Sequence, residues 1–128
     1  MSSFVDHLLG LLAGFAPVRA KRMFGGYGLY VDDLMFGIVI DDVLYLKVDD
    51  GNRARYLERE LPPFEYEAKG KRVSLSYFRA PEELFDESEV AIDWAREAYA
   101  AALRTRAGKA RREKPSAGKK LGTRKASR

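Results

Sequence analysis

The chain contains no cysteine and a single histidine, His7. Disulfides, thiolate metal ligands and cysteine nucleophiles are therefore excluded, and a metal site built from several histidines cannot exist within it. No apolar run approaches the length of a membrane span. The opening segment FVDHLLGLLAGF carries Asp6 and His7 and lacks a basic leader and a cleavage site, so the reading is a cytoplasmic protein without span or signal. Acid is scarce in one region. Residues 104–128 hold eleven Lys and Arg against Glu113 alone, whereas residues 1–103 hold twelve bases and eighteen acids. An acidic body carries a basic tail.

The 128 residues, 46% of them hydrophobic, suit one domain with a real core. In SSFVDHLLGLLAGF, Phe4, Leu8, Leu11, Leu12 and Phe15 recur at helical spacing, with Ser3 as N-cap and Asp6 in the first turn. Three apolar runs follow, MFGGYGLYV, LMFGIVI and VLYLKV, separated by Asp32-Asp33 and Asp41-Asp42, residues that tolerate tight turns. They predict a three-stranded antiparallel meander. DDGNRARYLERE predicts a helix capped by Asp49 or Asp50 and stopped at Pro62-Pro63. FEYEA and RVSLSYF flank Lys69-Gly70 as a second hairpin. After Pro81, a DESE capping box opens a long helix with Val90, Trp94, Ala95, Ala98 and Ala102 on one face. The expected class is α+β, an antiparallel sheet in α-β-β-β-α-β-β-α order, as residues 1–103. Residues 104–128 form a second segment, too polar to offset its ordering entropy and hence disordered beyond Thr105, apart from a helical extension toward Arg112.

The glycines of RMFGGYGLYVDD invite a phosphate-loop reading, but the lysine and hydroxyl residue of a Walker loop are missing, and so is the third glycine of the dinucleotide fingerprint. The RNA-stacking strand fits at Gly26-Tyr27-Gly28, yet Gly25 stands for its basic residue and Leu29 for its second ring. Glycines inside a strand instead permit a bulge or a close approach. Alternation would set Phe24, Gly26, Gly28 and Tyr30 on one side, leaving a trough between aromatic rings.

RMFGGYGLYVDDLMFGIVIDDVLYLKVD resembles the N-terminal domain of the TfoX/Sxy family, with its MFGG-G-Y, F-G and LYLK strands, and VSLSYFRAP resembles the family's second signature. The likeness covers residues 4–103. It implies a secretion-chaperone-like fold and a regulatory, non-enzymatic role without a cofactor, since founding members promote natural competence with the transcription machinery. Those members add a helical C-terminal domain, for which these 128 residues show no counterpart, and Asp33 stands where many relatives have glycine. The motif residues carried over as an interaction surface are Arg22, Met23, Phe24, Gly25, Gly26 and Gly28 in the first run, then Tyr30, Phe36, Tyr45, Lys47, Tyr77 and Pro81.

His7 reads as structural or solvated, and the aspartate pairs as turns and caps rather than metal ligands, for no calcium-loop spacing accompanies them. Glu82, Glu83, Asp86, Glu87 and Glu89 read as a helix start and solvated face. Lys47, with Lys21 and Arg22, could form a basic patch or snorkel to the sheet edge. LMFGIVI is apolar on both faces, which predicts an uncovered second face and a homodimer through it. The tail bases Arg104, Arg106, Lys109, Arg111, Arg112 and Lys114, followed by Lys119, Lys120, Arg124, Lys125 and Arg128, lack interleaved aromatics. They can neutralise DNA or RNA phosphates without reading bases. The favoured partner is a protein of the transcription machinery; a homodimeric adaptor and a small-ligand protein using the glycine trough are the alternatives.

Overall fold

The N-terminal helix is set by its cap. In the computed structural model, which describes residues 2–23 and 25–113, the Val5 amide donates to Ser2 Oγ at 3.1 Å, and α1 runs Ser3–Leu11 with Asp6 in its first turn. The cap thus lies one residue earlier than Ser3. Val5, Leu8 and Leu12 point into the core.

Four strands follow, not three: β1 (Val18–Met23), β2 (Gly26–Val31), β3 (Leu34–Ile40) and β4 (Val43–Lys47). The apolar run that read as one strand is cut at Gly25, whose φ of 79° lies in the left-handed region, so Met23 ends β1 opposite Gly26. Helix α2 (Arg53–Glu58), the hairpin β5 (Pro63–Ala68) and β6 (Lys71–Arg79), a 3₁₀ turn (Glu82–Phe85) and α3 (Ser88–Glu113) complete the order. The sheet is antiparallel throughout, ordered β1-β2-β3-β4-β6-β5. The aspartate pairs do make the turns. Asp41 and Asp42 (φ 52° and 60°) and Lys69-Gly70 (54° and 76°) adopt the doubly left-handed geometry that matches strand twist. In the other hairpin Asp32, not Asp33, takes φ 55°, so an aspartate at position 33 costs the turn nothing.

All helices lie on one face of the sheet. Ala91, Trp94, Ala95, Ala98 and Ala102 of α3 are buried, and the small alanines let the helix approach Phe36, Leu44 and Leu46 of the strands beneath. A bulge helps. Leu29 faces Gly37 while Tyr30 faces Met35, so Phe36 is the extra residue and both Phe36 and Gly37 turn toward the helices. Trp94 meets the Tyr56 ring edge-on at 5.0 Å, and each such buried side chain contributes about 1.5–3 kcal/mol. The last helix continues to Glu113, which is the helical extension expected toward Arg112. The expectation of disorder beyond that point falls outside the described residues, as do Phe24 and the tail bases from Lys114 onward.

Candidate interaction surface

Strand pairing fixes which side chains share the face that the helices leave bare. Lys21 pairs with Gly28, Gly28 with Ile38, Ile38 with Tyr45 and Tyr45 with Arg79, one row across five strands. Beside it, along one flank, stand Arg19, Tyr30, Met35, Lys47 and Tyr77, and along the other Met23, Gly26, Ile40 and Val43. None of these residues belongs to the helix-side core. Ile38 is nevertheless only 2% exposed. Long neighbours such as Tyr45, itself edge-on to Phe64 at 4.9 Å, make this a self-covered apolar surface rather than a cavity.

Its electrostatics are one-sided. Strands β1 to β4 and β6 contain no Asp or Glu at all, and the two acids of β5, Glu65 and Glu67, pair with Ser74 and Arg72 on the alternate side. Arg19, Lys21, Lys47 and Arg79 are the cations of the face, and among the described residues none stands within ion-pair distance of a carboxylate. They use other partners. Lys21 Nζ lies 5.1 Å from the Tyr30 ring centre and Lys47 Nζ 5.2 Å from that of Tyr77. Lys47 also donates to Ser76 Oγ at 2.5 Å, and Arg19 to the Asp32 carbonyl at 3.4 Å. Burial pulls the Lys47 ammonium below the ordinary lysine range, with Asp49 opposing; burial, with Tyr30 adding to it, pushes the Tyr77 phenol up to about 12.

The family profile described as TfoX N-terminal domain matches residues 10–102. The chain belongs to that family. It is 30% identical over 104 residues to Protein Sxy of Escherichia coli K12, covering 80% of this chain and 49% of the relative. To DNA transformation protein TfoX1 of Aliivibrio fischeri it is 27% identical over 92 residues, 72% of this chain and 44% of the relative. The chain spans about half the length of these relatives.

The TfoX motif residues separate by face. Met23, Gly26, Gly28, Tyr30, Tyr45, Lys47 and Tyr77 share the bare side. Phe36 lies in the helix-side core, Arg22 sits opposite Tyr27 with its guanidinium 5.9 Å from that ring, Gly25 makes the turn, and Pro81 is buried before the 3₁₀ turn. The glycine trough does not stand empty. A methyl at Gly28 would meet Met35 Sδ at 2.9 Å, Met23 Sδ at 3.0 Å and the Tyr30 ring at 3.0 Å, while one at Gly26 would run into the Val39 carbonyl oxygen. The space beside these two glycines is taken by the protein's own thioethers and backbone.

The sequence reading left Arg19, Met35, Ile38 and Arg79 out of the site. Their signal was the strand segments' lack of acid, combined with alternation across strands. It also counted Arg104 as a tail cation. In the structure Arg104 Nε and Nη2 donate to Asp49 at 2.7 and 2.8 Å, a bidentate pair that holds the Asp49 carboxyl below its usual range. Asp49 further accepts from the Gly51 amide at 2.9 Å, and Asn52 takes the Asp49 amide and donates to the Lys47 carbonyl. These aspartate and asparagine contacts shape the loop, whereas α2 starts after Asn52 without a side-chain cap. Arg106, Lys109 and Arg111 remain exposed on the last turns of α3. His7 Nε2 lies 3.0 Å from the Phe85 carbonyl, a structural tie, and Glu83 of the acidic cluster pairs with Arg59. Among the described residues no group of three acids or histidines is placed to hold a metal, and no helix is long and apolar enough to cross a membrane.

Proposed function

We propose that the protein is a small cytoplasmic, non-enzymatic regulatory module of the TfoX N-terminal type, which works by docking a protein partner of the transcription machinery. The observation that carries this reading is the bare sheet face, where seven motif positions meet on a packed surface that offers contact area rather than an enclosed reaction site. Family membership supports the regulatory class, and the name of one relative, DNA transformation protein, points in the same direction. Cross-linking of the full chain in cells of its own source, followed by mass spectrometry, tests it. A recurrent protein partner is expected; a tightly held small molecule in the purified protein, with no partner, would overturn the reading.

A second contact belongs to the end of α3. Arg106, Lys109 and Arg111 present exposed positive charge on a regular helix, which supports weak, sequence-independent contact with DNA or RNA phosphates. Reversing these three to glutamate is expected to abolish a mobility shift on duplex DNA at low salt, and binding by the parent chain should fall steeply as salt rises. Equal binding by both proteins would remove this role.

A further inference from the structure

We propose that the bare sheet face receives an acidic, amphipathic helix of the partner, its apolar stripe lying over the half-buried Tyr30, Met35 and Tyr45 and its carboxylates meeting Lys21, Lys47 and Arg79. This rests on the reading of the protein as a docking module and names the chemistry of what docks. The occupant follows from charge. The row Lys21–Gly28–Ile38–Tyr45–Arg79 runs from cation through apolar centre to cation. Neighbouring strands lie about 4.8 Å apart, so its ends are about 19 Å apart. A helix rises 1.5 Å per residue, and about 13 residues cover that distance. An apolar stripe with acids at both ends would satisfy the whole row.

A second copy fits poorly, because stacking two such faces would bring cations together with no strand carboxylate between them. Single-stranded nucleic acid would find the cations, but Lys21 covers the Tyr30 ring, Phe64 packs on the Tyr45 ring and Tyr77 is only 9% exposed, which leaves little open ring surface on which bases could stack. A protein helix needs no open ring; it needs apolar area framed by charge.

The test uses the full chain, isotope-labelled for NMR, and a synthetic helical peptide of about 16 residues with leucines at helical spacing and glutamates at both ends. Amide shifts are expected along β2, β3, β4 and β6, with binding at least about tenfold weaker in Lys21→Glu/Arg79→Glu. Neither residue makes an ion pair among the described residues, so the double variant is expected to keep its fold, which a thermal melt verifies; Arg79→Glu alone serves as the milder version. The variant should in turn bind a matching peptide whose glutamates are replaced by lysine. No binding, equal binding of acidic and basic peptides by the parent chain, or shifts confined to the helices would overturn the proposal. So would tighter binding of oligothymidylate at the same residues, or a dimeric mass that occludes them. A cellular partner cross-linked elsewhere would sink this inference while leaving the docking module intact, whereas the absence of any partner would sink both.

Discussion

On the helix side of the sheet the guanidinium groups find carboxylates: Arg55 pairs with Asp93 at 2.5 Å and Glu97 at 2.9 Å, Arg59 with Glu83, and Arg104 with Asp49. On the bare side Lys21 and Lys47 rest on tyrosine rings, and Arg79 makes no ion pair among the described residues. The two faces of one sheet thus treat the same kind of group differently. Pairs on the first face tie helices and loops together, since each joins two elements. Cations on the second make no ion pair within the described chain and rely on neutral partners such as Ser76 and the Asp32 carbonyl, and one of them, Lys47, is held in a setting that disfavours its charge. The proposed docking of an acidic helix would give these cations the carboxylates that their own strands lack.

The contrast breaks most severely at Trp94, which is buried against Tyr56 and carries the Arg55 guanidinium 3.7 Å above its ring. Trp94→Ala should cost about 3–5 kcal/mol by urea denaturation, through the cavity it leaves. Gly26→Ala comes next although it lies on the bare side, because the added methyl meets backbone at Val39 that cannot rotate away; about 1–3 kcal/mol is expected. A neutral result would show that the strands yield more readily than the pairing suggests.

Asp49→Ala should cost about 1–2 kcal/mol at neutral pH, by losing its bonds from Arg104 and the Gly51 amide. The folded-state pKa of Asp49 lies below its unfolded value, so its contribution is present above the unfolded value and is lost as pH falls through the folded one. Melting curves of parent and variant should therefore converge in acid. The smallest effect is expected at Lys47→Met, and with the opposite sign: a gain of up to about 1 kcal/mol at neutral pH. Here the folded pKa is lowered, so the parent gains stability as pH rises between the folded and unfolded values, and the advantage of methionine should shrink there. A destabilised Lys47→Met would mean that its bond to Ser76 outweighs desolvation.

Much of the fold was legible because its signals are local. The aspartate pairs make the turns that their chemistry favours, and the alanine and tryptophan face of α3 is read directly from a 3.6-residue period. Strand β1 was not legible, for Val18 and Ala20 are a faint apolar signal beside Arg19, Lys21 and Arg22, and the glycine that ends its hairpin looked like strand interior. The site was half legible. LMFGIVI announced a second apolar face, and alternation grouped Gly26, Gly28 and Tyr30, but their company with Ile38, Tyr45 and Arg79 depends on register across strands. Arg104 was misread for the same reason: its partner lies 55 residues away in the chain.

Strand β1 is also one of the two edges of the sheet, β5 being the other. Edges and flat apolar faces are where proteins polymerise, and basic side chains are a common guard against it. Arg19 and Lys21 stand at both hazards, and Arg22 at the edge. Neutralising them together should therefore show first as turbidity and fibre formation in a protein that still melts normally, so that solubility, rather than folding, is what this strand protects.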